Sequence, residues 1–251
     1  GGTTAFKNVT VNTKVSVAEE AVAAKKLHVW QAGFLGRCES KALTFQKCTW
    51  GSESTLTDER TTENQRIGGL AAEVMGGCVV SVDACTLSGS ITSNSDSNAK
   101  VGGLIAVSRG ETQKGNINSY TSADTTIKIS NLQVKKENIN TNGANNTSGG
   151  LLGYQWKNTN VVFAASADNT ASESGVTISE AKLNANAQFG GLVYQATGYW
   201  NATAANSIIF EKKESTTTFT GKSTQDTPSG LLVGTGLLKV TQSGKEVVES
   251  A

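Results

Sequence analysis

Gly102-Gly103-Leu104-Ile105 is one copy of a phrase that recurs along the chain. The others are Ala32-Gly33-Phe34-Leu35, Gly68-Gly69-Leu70-Ala71, Gly149-Gly150-Leu151-Leu152, Gly190-Gly191-Leu192-Val193 and Ser229-Gly230-Leu231-Leu232. Counted on the second residue, successive copies lie 36, 34, 47, 41 and 39 residues apart. The glycines Gly33, Gly69, Gly103, Gly150, Gly191 and Gly230 are therefore equivalent, and so are the large apolar residues that follow them. Self-similarity at a period of 20–50 residues marks a repeat architecture, in which each unit buries its apolar face only by stacking on its neighbours.

A second phrase, apolar-x-x-apolar-x-apolar, alternates with the first. Its copies are Phe6/Val9/Val11, Phe45/Cys48/Trp50, Val82/Cys85/Leu87, Ile129/Leu132/Val134 and Ile178/Ala181/Leu183, with a degraded sixth copy expected at 216–220. Flanking stretches such as Thr126-Ile127-Lys128-Ile129-Ser130 alternate apolar and polar residues, which is the strand period. The two-residue gap between Phe45 and Cys48 breaks that alternation and predicts a bulge or corner. The glycine pair before each Leu fits a corner needing positive φ or a close backbone approach.

The spacing predicts an all-β parallel β-helix of about six repeats of roughly 39 residues, with about three short strands per turn. Phe34, Leu70, Leu104, Leu151, Leu192 and Leu231 would then form one buried ladder. Residues 17–27 read as a short helical insertion in an otherwise single solenoid domain. The 251 residues are expected to be an excised segment of a longer surface protein.

The two phrases resemble the GLUG repeats of bacterial surface proteins, over roughly residues 30–240. Those repeats occur in adhesins of gut and oral bacteria and in the non-catalytic amino-terminal region of some immunoglobulin-A proteases. The resemblance implies a right-handed parallel β-helix (β-solenoid) on a cell surface, hence an extracellular location.

Composition narrows the partners. With 22 basic and 21 acidic residues the chain has no cationic surplus for nucleic acid. No apolar stretch is long enough to span a bilayer, so no membrane insertion is expected. A single His, His28, leaves little room for a Ser-His-Asp site or a histidine-bound metal. The paired acids Glu19-Glu20 and Asp58-Glu59 fall outside repeat-equivalent strand positions on this reading, and Arg37, Arg60, Arg66 and Arg109 do not recur in register. No catalytic residue, metal or cofactor is therefore expected. Cys48 and Cys85 hold equivalent places in consecutive repeats, and Cys38 and Cys78 form a possible second pair. A buried ladder of thiols and a set of disulfides both remain open.

The best binding candidates are aromatic. Tyr154 and Trp156 follow one Gly-Gly-Leu phrase, and Tyr194, Tyr199 and Trp200 follow the next. Flat aromatics on a strand surface can stack on sugar rings or anchor a protein. The expected function is a monomeric, extracellular structural or adhesive module that presents loops and aromatic patches to a glycan or host surface protein. The alternatives are a polysaccharide-active β-helix enzyme and a non-catalytic accessory region of a secreted protease.

Overall fold

Four residues with left-handed backbone set the corners of the molecule: Asn8, Lys47, Ala84 and Asn131, at φ of 54°, 53°, 51° and 47°. Each immediately precedes the second apolar residue of the second phrase. The left-handed residue redirects the chain, so the residues flanking the gap both face inward. Phe45 and Cys48, Val82 and Cys85, and Ile129 and Leu132 are accordingly all buried. The corners stack through backbone hydrogen bonds, with Asn8 N donating to Gln46 O, Lys47 N to Asp83 O and Ala84 N to Ser130 O at 2.9–3.1 Å.

The structure is a computed structural model. It describes residues 2–18, 29–60, 65–95, 97–113, 120–143, 145–163, 176–179, 181–185, 188–190, 193–196, 199–202, 208–210, 218–220, 233–242 and 245–250. The chain is an all-β, right-handed parallel β-solenoid. One turn comprises Ala42–Gln46, Thr49–Trp50, Thr55–Asp58, Gln65–Gly68 and Ala71–Val74. Each strand pairs in parallel with its counterparts one turn away; Phe45, for example, lies opposite both Phe6 and Val82. A turn thus holds five short strands and not three, because the left-handed corner and the glycine pair each divide a phrase into two strands. Across the stack these strands form five sheets, numbered here in that order. The ten-residue strand Val233–Gln242 pairs with both Val193–Ala196 and Tyr199–Ala202 and so joins the fifth sheet to the first.

The Gly-Gly-Leu phrases stack as the spacing requires. Gly33 N donates to Gly69 O at 3.0 Å, Leu70 N to Leu104 O at 3.0 Å and Leu104 N to Leu151 O at 3.0 Å. Leu70, Leu104 and Leu151 are fully buried in one ladder, and Phe34 extends it, half-buried against Phe6 and Phe45. Close approach, not positive φ, is what demands glycine here. Among the described glycines only Gly77 has positive φ. A Cβ on Gly69 would instead overlap the Gly103 carbonyl oxygen, and one on Gly103 would overlap the oxygen of Gly150. Of the remaining ladder positions, Gly191, Leu192, Gly230 and Leu231 lie outside the described residues. The register Val193 opposite Val233 is one residue beyond the phrase alignment at that last copy.

Other expectations shift. Ile178 pairs with Val134, and Leu183 with Ile139, so the fifth copy of the second phrase is Phe163/Val176/Ile178. The intervening 164–175 separate its first two apolar residues, which hid it from an alignment of fixed spacing. Thr218–Thr220 belongs to the third sheet, while Ile208–Phe210 continues the second sheet beyond Val176–Ile178. Val17 ends the strand Lys14–Val17, and residues 19–28, including most of the expected helix and His28, lie outside the described residues. Asp58, expected outside the repeat-equivalent strand positions, is a buried strand residue in register with Val17 and Ser93; its carboxylate takes a two-pronged contact from Arg60 at 2.9 and 2.7 Å. The long third spacing accommodates an antiparallel hairpin, Glu111–Gln113 with Tyr120–Ser122.

Candidate functional site

The fourth and fifth sheets meet at the glycine pairs. Gly68 packs directly on the carbonyl of Ala71, and Gly102 on that of Ile105, so each turn folds back sharply there. This arch brings residues on either side of the phrase together. Arg66, two before Gly68, meets Glu73, two after Ala71, at 3.1 Å. Stacking then builds columns: Trp30, Arg66, Lys100 and Thr147 in the fourth sheet, and Arg37, Glu73, Val107 and Tyr154 in the fifth. Just past the fifth sheet, Arg109 and Trp156 follow in consecutive turns, with Arg109 N donating to Val74 O and Trp156 N to Ser108 O, both at 2.8 Å.

Glu73 is the hub of this wall. Its carboxylate is 2% exposed and accepts from the Trp30 indole at 2.6 Å, from Arg66 Nη1 and from Arg109 Nε. Arg37 Nε approaches to 3.8 Å, while the same guanidinium pairs with Glu39 at 2.9 Å. Arg37 and Arg66 each lie 5.5 Å from the Trp30 ring centre. Burial lowers the Arg66 pKa and the neighbouring Arg109 and Arg37 lower it further, with Glu73 opposing.

Beside the hub is a cleft of about 210 Å³, bordered by Arg66, Lys100, Val107, Arg109, Tyr154 and Trp156. Tyr154 and Trp156 are half-buried, with ring centres 5.2 Å apart and planes tilted by 40°. The Arg109 guanidinium lies 5.1 Å from the Trp156 centre, and Lys100 Nζ lies 5.3 Å from that of Tyr154. Burial, then the charge of Arg66, pushes the Lys100 ammonium down to about 8.

Of the five aromatic candidates, Tyr154 and Trp156 converge on this cleft. The side chains of Tyr194, Tyr199 and Trp200 lie outside the description, but the backbone register separates them from it. Tyr154 lies opposite Gln195, which puts Tyr194 one residue off its column. Tyr199–Ala202 belongs to the first sheet, where Trp200 lies opposite buried Val161. The cationic half of the site is absent from the sequence expectations, although Arg66 does stand in register with Lys100, and Arg37 with Glu73. Aligning residues two before and two after each phrase, across all charged types, would have exposed Arg66, Lys100, Arg37 and Glu73, but not Arg109, which lies four residues after Ile105.

The cysteines form no bridge: Cys38, Cys48, Cys78 and Cys85 are all free and buried. Cys48 Sγ donates to Phe6 O at 3.3 Å and Cys85 Sγ to Phe45 O at 3.4 Å, as a ladder of small apolar thiols. Among the described residues no group of His, Cys, Asp or Glu could hold a metal ion, and no helix is long and apolar enough to cross a membrane. No protein-family model, no curated protein and no solved structure matches this chain.

Proposed function

We propose that this chain is an extracellular, non-catalytic repeat module of a bacterial cell surface, of the GLUG-repeat kind, which attaches to a glycan. The observation that carries this reading is the half-buried Tyr154–Trp156 pair at the edge of a cleft on a rigid solenoid wall. Aromatic faces held by a parallel stack need no ordering on binding, which lowers the entropic cost of holding a sugar ring. The phrase Gly-Gly-Leu with its alternating partner supports the kinship, and the stacked repeats supply the rod.

The cleft chemistry favours binding over hydrolysis. Glycoside hydrolysis ordinarily needs two carboxyl groups placed across a bond. The described carboxylate that contacts the cleft arginines, Glu73, is held by those two arginines and an indole. Single contacts of this kind are modest, so firm attachment would come from many copies on one surface.

A glycan array and a pull-down from host mucus, each run with the native chain and Trp156→Ala, test the reading. Glycan capture that is lost in the variant is the expected result. Degradation of any captured polysaccharide by the purified chain would overturn the non-catalytic part, and capture of protein alone would overturn the glycan part.

A further inference from the structure

Resting on the glycan-binding reading of this cleft, we infer that its ligand is an acidic sugar residue, a single ring bearing a carboxylate or sulfate. The ring packs on Tyr154 and Trp156 and the anion faces Arg66, Lys100 and Arg109.

Size sets the first limit. Clefts that enclose drug-sized ligands run to about 300–1,000 Å³. A volume of about 210 Å³ therefore suits one ring of a chain whose other residues stay in solvent.

Charge sets the second. Three cations border the cleft, and Glu73 is the one described carboxylate in contact with any of them. That carboxylate already accepts three hydrogen bonds, from Trp30, Arg66 and Arg109, and it uses only one N–H group from each arginine. A guanidinium carries five N–H donors in a planar fork, so both arginines keep donors for a second anion. Lys100 contacts the Asn98 side-chain oxygen and the Tyr154 ring, with no carboxylate partner among the described residues. Burial disfavours the Lys100 charge and the neighbouring Arg66 disfavours it further, costs that a bound anion offsets.

The surplus is local. The whole chain carries a formal charge of only +1, so the cleft stands out against a nearly neutral surface. A concave, partly apolar site lined by one sign of charge concentrates the field that an anion meets. The apolar floor at buried Val107 and the two aromatic rings separate this arrangement from a bare anion site, since they match the C–H face of a sugar.

The test compares four probes on the intact chain by calorimetry: a uronic-acid oligosaccharide, its carboxyl-reduced neutral counterpart, a sulfated oligosaccharide and inorganic sulfate. At least one acidic oligosaccharide should bind about tenfold or more tighter than the neutral one, the scale of one charge-assisted hydrogen bond. Lys100→Gln and Trp156→Ala should each reduce that binding by about tenfold with the fold unchanged by circular dichroism. Lys100 is chosen because it makes no contact with Glu73, so its loss leaves the hub intact. Which acidic oligosaccharide binds identifies the anion. Equal binding of acidic and neutral sugars overturns the acidic assignment and leaves the glycan reading standing. Inorganic sulfate binding as tightly as the sulfated sugar overturns the sugar assignment, and acidic binding that survives both substitutions overturns the location. If no sugar binds, both readings fall.

Discussion

Trp30 Nε1 donates a 2.6 Å hydrogen bond to Glu73 Oε2 across the arch between the fourth and fifth sheets, one turn apart along the solenoid. The same carboxylate oxygen takes Arg66 and the other takes Arg109, so three turns of the wall are tied to one buried acid. Removing one member of a buried charge group leaves the others uncompensated, which costs about 3–5 kcal/mol. Glu73→Gln should lower stability by that amount, read as a fall in the urea unfolding midpoint. An unchanged midpoint would mean that the arginines find solvent easily and that the hub is not structural.

The left-handed corner at Ala84 carries a Cβ in a conformation that costs an L-residue about 1–2 kcal/mol. Glycine relieves this strain but loses more entropy on folding, so Ala84→Gly should stabilise by up to about 1 kcal/mol. At the equivalent corner one turn on, Asn131→Ala should destabilise by about 1 kcal/mol, because Asn tolerates this backbone better. Chemical unfolding of both variants checks the pair, and shifts of the same sign would refute the equivalence of the two corners.

Glu137 is buried beside Gly103 with one carboxylate oxygen lacking a partner, and burial raises its pKa from 4.5 to about 8. Below pH 4.5 both folded and unfolded chains hold the proton, and its contribution is complete. As pH rises towards 8 the unfolded chain ionises while the folded one resists, so stability is lost across this window at about 1.4 kcal/mol per pH unit. Glu137→Gln should flatten that slope and leave the variant more stable than the parent at pH 8. Unfolding midpoints measured from pH 4 to 9 decide it; parallel profiles would sink the assignment.

Burial pushes the Cys85 thiol up to about 12, whereas a hydrogen bond from Cys78 brings Cys38 down to about 6 against the opposing effect of burial. Thiolate is the reacting species and Cys85 resists forming it, while Cys48 is fully buried, so alkylation should spare both in the native chain. As urea opens the structure, Cys38 should be labelled first. Mass spectrometry of modified peptides gives the order, and a Cys48–Cys85 bridge in protein from its native source would contradict the free-thiol ladder.

The interior was legible because like residues recur where like residues stack. Gly69 and Gly103, and Leu70 and Leu104, occupy the same place in successive turns, and packing allows only small or large apolar groups there. The second phrase was equally plain until 164–175 separated Phe163 from Val176; a fixed spacing then chose Ile178 as the wrong partner. Nor could apolar pattern show that each turn has five strands. The corner at Lys47 and the arch at Gly68 depend on backbone direction, which different residue types satisfy.

The cleft obeys a different rule. Its columns run Trp30, Arg66, Lys100 and Arg37, Glu73, Val107, Tyr154, with no residue type repeated in either. These positions point away from the stacked interior, where no single chemistry is imposed on every turn, so they leave no periodic trace. The sequence alone determined the repeat, the parallel stack and the buried ladder, because burial imposes one chemistry on every turn. Only the tertiary structure decided that Arg66, Lys100 and Arg109 stand beside Tyr154 and Trp156. The reason is the arch at each glycine pair, which folds the fourth sheet onto the fifth and brings side chains from separate columns and separate turns to one place.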